Sequence, residues 1–248
     1  MKIKYLKKHK QYIKIILLVL VASNVHANKL EKLAETEHFI YYSEISAADY
    51  IHEISNSMEE KYQFYIRIFG CTSKQTIEVD IYSSLKDELK IPTMINGYAG
   101  LGKIQLNSPY YSKEYYEYMK KVPLHELVHV LFNRLNNGYS ERWFSEGLAE
   151  YLSDGPRTKS ERNGYLNNAV QNGKIPKYYE LNKCFNTTSI DTMMIAYSVT
   201  AGFIEYLVTR YGEEKLKELI HMKLRSSYVY KRSFDELYSE YYNEIFNN

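Results

Sequence analysis

Residues 125–129 read His-Glu-Leu-Val-His. On a helix, side chains four apart share one face. His125 and His129 can therefore offer two imidazole nitrogens to one metal ion. Glu126 lies about 100° around the helix axis from His125. Its carboxylate can reach the open side of that ion without ligating it, the place for a group that takes a proton from water. The chain holds 7 His in 248 residues. At that composition the pattern is expected by chance only about 0.02 times. Catalytic metal sites ordinarily take three protein ligands and leave one position open for water. Residues 143–151, Trp-Phe-Ser-Glu-Gly-Leu-Ala-Glu-Tyr, set Glu146 and Glu150 four apart. Such a pair alone is usually a solvated helix face. Beside the two histidines, a carboxylate there can complete a His₂Glu donor set for one Zn2+.

These side chains need two helices joined by a short loop. Leu124, Leu127, Val128, Leu131 and Leu135 give a helix over 123–135 its apolar faces, and Pro123 suits its first turn. A return helix is predicted over 142–153, packed through Trp143, Phe144, Leu148 and Leu152. Further helices are predicted over 163–171, 193–211, 213–224 and 234–246. Upstream, Ile51, Ile54, Met58, Tyr62, Tyr65, Ile66 and Phe69 recur at helical spacing over 47–69, stopped by Gly70. Strands are predicted at 37–42, 76–82 and 103–107, with a glycine-rich turn region at 96–102. The expected class is α+β: a small mixed-sheet lobe plus active-site helix, followed by a mainly helical part. One domain is expected over 28–248, with the sheet lobe at 28–121 and the helical part at 122–248.

The composition, 45% hydrophobic and 25% charged, is that of a globular chain. It argues against disorder and against a multi-span membrane protein. Residues 1–27 hold six lysines and no acid; removing them takes the net charge from +2 to −4. No basic surface is left to suggest a nucleic-acid partner. Those lysines precede an apolar run over 15–22 and then Val25-His26-Ala27, the pattern of a secretory signal peptide cleaved near Ala27. Eight helical residues span roughly 12 Å against about 30 Å of hydrocarbon, so no permanent membrane span is expected. The expected location is therefore outside the cytoplasm, periplasmic or secreted. There Cys71 and Cys184 can pair or stay as two thiols. The 27 Tyr carry no assignable role.

The HELVH segment followed by WFSEGLAEY resembles the gluzincin metallopeptidases, the peptidase MA-like superfamily to which thermolysin and the zinc aminopeptidases belong. The resemblance implies a zincin-like fold and zinc-dependent hydrolysis of peptide or protein substrates. It implies His125, His129 and Glu146 as ligands of one Zn2+, Glu126 as general base and Glu150 as the residue that orients a ligating histidine. It also implies a Tyr or His from the helical part as oxyanion donor. Tyr197 falls where the resemblance places it, with His221 a weaker candidate. In enzymes of this kind an edge strand beside the active-site helix pairs with extended substrate, so the strand at 103–107 reads either as that edge or as an ordinary core strand. The G-x-M-E-N segment of the aminopeptidases is missing, and Ser145 replaces the common Asn before the ligand Glu, a change expected to be harmless. The expected activity is an exported zinc endopeptidase. The alternatives are an exopeptidase or processing protease, or a non-catalytic peptide- or partner-binding module; an intact Glu126 weighs against the last.

Overall fold

The computed structural model describes residues 30–70, 75–90, 95–100, 102–137 and 141–247. The segment expected to be a signal peptide and Cys71 lie outside the described residues, and so does any pairing of Cys71 with Cys184. The fold is α+β. The strands are β1 (Glu31–Glu35), β2 (Phe39–Ser43), β3 (Ile77–Ile81), β4 (Gly97–Gly100) and β5 (Lys103–Leu106). They form one mixed sheet in the order β1-β2-β3-β5-β4. The inner pairs β2–β3 and β3–β5 are parallel, and both outer pairs are antiparallel.

Alternation decides which sheet face is covered. Ile77, Val79 and Ile81 of β3 and Ile104 and Leu106 of β5 are fully buried. Against that face lies α1 (Ala48–Phe69), whose buried stripe is Ile51, Ile54, Met58, Tyr62 and Tyr65. Ile68 rather than Ile66 completes the stripe, and Gly70 ends the helix in the left-handed conformation, φ 60°. Two short helices follow, α2 (Leu85–Leu89) and α3 (Lys113–Met119).

The next two helices carry the HELVH and SEG segments. α4 (Val122–Asn136) has Pro in its first turn and Asn137 as left-handed C-cap. It is buried almost all round, which explains its near-continuous apolar run. α5 (Arg142–Leu152) returns beside it. Trp143 anchors α5: its ring lies 5.5 Å from those of Phe144 and Phe203 and 5.1 Å from that of Phe234. Truncating an aromatic residue so placed costs about 3–5 kcal/mol.

The rest is helical: α6 (Lys159–Gln171), a 3₁₀ turn (Tyr178–Glu180), α7 (Leu181–Cys184), α8 (Ile190–Tyr211), α9 (Glu213–His221), α10 (Ser226–Val229) and α11 (Phe234–Asn247). α6 starts four residues before the helix predicted there, because Thr158 and Glu161 form a capping box. α8 is long and apolar enough to cross a membrane. Here it is a core helix, burying Ala196, Val199, Phe203, Ile204 and Leu207. A single buried cluster runs from Phe39 in the sheet to Tyr241 in α11.

One expectation is corrected and one open choice is resolved. The glycine-rich stretch at 96–102 is not only a turn, because Gly97–Gly100 forms β4. Of the two readings of the strand at 103–107, the structure has the core strand and not the edge. β5 is paired with β3 on one side and β4 on the other, so its backbone is satisfied twice. Among the described residues the sheet edge next to α4 is β4.

Candidate metal centre

Helical spacing and the α4–α5 crossing bring three donor atoms together. His125 Nε2 and His129 Nε2 are 3.1 Å apart. Glu146 Oε2 lies 3.4 Å from the first and 3.3 Å from the second. Zinc ligands at about 2.0–2.1 Å in tetrahedral array stand about 3.3 Å from one another. The donor set thus fits zinc in both chemistry and spacing. Residues His125, His129 and Glu146 form the group able to hold a metal ion among the described residues.

Each donor is held by a neighbour. His125 Nδ1 faces Glu150 Oε1 at 3.3 Å, and His129 Nδ1 lies 2.8 Å from Ser145 Oγ. Glu146 turns its other oxygen to Arg142 Nε at 3.6 Å. Glu150 is fully buried, ion-paired with Arg157, and has Arg162 Nη1 3.9 Å from its Oε2. These partners fix ring orientation, which sets how basic a ligand is and where it points.

Burial and charge set the ionisation of the group. Burial disfavours charge on Glu150, but the adjacent His125 ring and the Arg157 guanidinium hold it below the usual carboxylate range. Burial likewise opposes ionised Glu146, and His129 and His125 outweigh it, holding that carboxyl well below its ordinary value. For His125, burial opposes the cation while Glu146 and Glu150 favour it, and the balance pushes it up to about 10. Glu126 moves the other way. Burial raises its pKa, and the two histidines offset this only in part.

Glu126 sits under the edge strand. A Cβ on Gly97 would meet Val122 Cγ1 at 2.5 Å and Glu126 Oε1 at 2.8 Å. Only a glycine lets β4 lie this close to α4. A cleft of about 680 Å³ opens here, lined by Gly97, Val122, His125, Glu126, Phe185, Met193, Met194 and Tyr197 among others. Tyr197 stands on α8 across the cleft, its ring centroid 6.3 Å from that of His125. Burial raises its phenol well above the ordinary tyrosine value. His221 is elsewhere, at the end of α9 against Gly70.

Three contacts were not foreseen. The Ser145 hydroxyl meets His129. Its place directly before Glu146 was the available signal. Arg157 and Arg162 gave none, because nothing in their spacing ties them to Glu150.

A mixed sheet under an HELVH helix, with a carboxylate returning from the next helix, defines a metallopeptidase-like domain. The family model of the Peptidase MA superfamily matches residues 67–243, and the chain belongs to that superfamily. Its members are typically zinc-dependent. No curated protein matches the chain.

Proposed function

We propose that the protein is an exported zinc-dependent endopeptidase. The observation that carries this is the convergence of His125, His129 and Glu146 on one point, with Glu126 beside it in an open cleft. His125 Nε2, His129 Nε2 and Glu146 Oε2 would hold the ion. Zinc bound there supplies a Lewis acid that acidifies water and polarises a carbonyl. Glu126 accepts the proton of the attacking water on its carboxylate and passes it to the leaving amine nitrogen. A carboxyl with a raised pKa holds that proton more readily between the two steps. The Tyr197 phenol, kept protonated by burial, donates toward the scissile carbonyl oxygen as negative charge develops on it. Among the described residues β4 pairs with β5 alone, and an extended peptide can add to its other side as a further strand.

Glu126→Gln is expected to keep zinc and lose hydrolysis by more than about 10²-fold. Metal content by mass spectrometry and cleavage of a peptide library check the two halves separately. A purified protein holding less than about half an equivalent of zinc sinks the metal assignment. A Glu126→Gln variant that cleaves as well as wild type sinks the base. For export, the secreted protein is expected to begin at Asn28.

A further inference from the structure

The loop at 153–158, between α5 and α6, makes a turn that sequence reasoning passed over. Asp154 and Gly155 both have positive φ, 54° and 37°. A Cβ on Gly155 would collide with the carboxylate of Glu150, whose Cδ would be 3.0 Å away. The turn therefore closes directly over that buried acid and needs glycine to do so. It delivers Arg157 to the cleft wall with its side chain only 13% exposed. There the guanidinium has two partners. It pairs with Glu150, and its central carbon lies 3.9 Å from the centroid of the Tyr197 ring, well inside cation–π range.

Glu150 has a second cation. Arg162 Nη1 lies 3.9 Å from Oε2 and donates to the Arg157 carbonyl at 2.8 Å. Charge compensation of Glu150 thus does not rest on Arg157 alone. What Arg157 adds is the face of Tyr197, whose ring also meets Phe185 edge-on at 5.1 Å. α8 supplies none of the three donor atoms, so its register against α4 and α5 must be set by other contacts.

We propose that Arg157 is a positioning residue that fixes two cleft groups at once: Glu150, which orients His125, and the ring of Tyr197, which it aligns across the cleft from the donor set. The proposal rests on the zinc-peptidase reading of the site. A planar guanidinium can pair with a carboxylate and stack on a ring at the same time; an ammonium cannot do both in this geometry.

The test uses the full chain, loaded with zinc, on a peptide that wild type cleaves. Arg157→Met is expected to lower kcat at least about tenfold with KM within about threefold, and to weaken zinc about tenfold in chelator competition. Arg157→Lys, which keeps the charge and guards against a folding failure, is expected to restore zinc affinity but only part of kcat. In a Tyr197→Phe background, Arg157→Lys is expected to cost less than about twofold further, because the aligned hydroxyl is already gone. Variants that match wild type in kcat and zinc affinity overturn the proposal. So does an Arg157→Lys loss that is undiminished without the Tyr197 hydroxyl. A wild type that holds no zinc and cleaves nothing instead overturns the peptidase reading itself, and this proposal with it.

Discussion

At the scale of single residues, the two histidines are oriented by unlike partners. His129 leans on a neutral hydroxyl, Ser145, and His125 on a buried carboxylate clasped by arginines. A buried carboxylate beside an imidazole orients it through charge as well as contact, which a neutral hydroxyl does not. Removing Glu150 also leaves Arg157 and Arg162 with uncompensated charge. Glu150→Ala is therefore expected to weaken zinc about 10–100-fold, and Ser145→Ala less than about tenfold. Chelator competition on the two variants checks the order. Equal losses would mean that the charge on Glu150 plays no part in holding His125.

At the scale of elements, contact between α5 and α8 depends on Gly147. A Cβ there would lie 2.7 Å from the Thr200 carbonyl oxygen, and helix backbone cannot yield as a flexible side chain does. Alanine gains up to about 1 kcal/mol in helix propensity, but forcing the helices apart costs about 1–3 kcal/mol. Gly147→Ala is expected to lower stability in denaturant unfolding and, by moving adjacent Glu146, to weaken zinc. A second joint ties the β1–β2 turn to α1. Glu59 accepts from the Thr36 hydroxyl at 2.5 Å and the His38 backbone N–H at 2.9 Å, and meets His38 Nδ1 at 2.6 Å. Burial opposes its charge, yet these partners hold the carboxyl below its usual range. A depressed carboxylate pKa contributes stability above the unfolded value of about 4.3, lost as pH falls through the folded one. Glu59→Ala is thus expected to cost about 1–3 kcal/mol at neutral pH. The gap from wild type should narrow below about pH 4. A gap that is constant with pH would remove the charge from the account.

At the scale of the molecule, the proposed zinc fastens α4 to α5 and should stabilise the whole fold. At free zinc a thousand times the dissociation constant the gain is about 4 kcal/mol, or roughly 8–16 °C in midpoint for a chain of this size. Stripping the metal should lower the thermal midpoint by that order, and returning zinc should restore it. An unchanged midpoint would argue against tight binding. The donor set was legible in the chain because HELVH and SEG are local patterns whose i, i+4 spacing fixes direction on a helix. β4 was not: Gly-Tyr-Ala-Gly has little strand preference of its own, and it is a strand because β5 pairs with it and Glu126 fills the space below Gly97. Arg157 was not legible either, since the whole of α6 and α7 separates it in sequence from Tyr197.

The exposed border of β4 has one last consequence. Under the proposed strand addition only an extended segment can lie along it, since the amides of a helix interior or of a strand inside a sheet are already paired. A compact protein would have to loosen locally before this cleft could grip it. Target choice would then depend on how readily a segment comes undone as well as on the residues it carries.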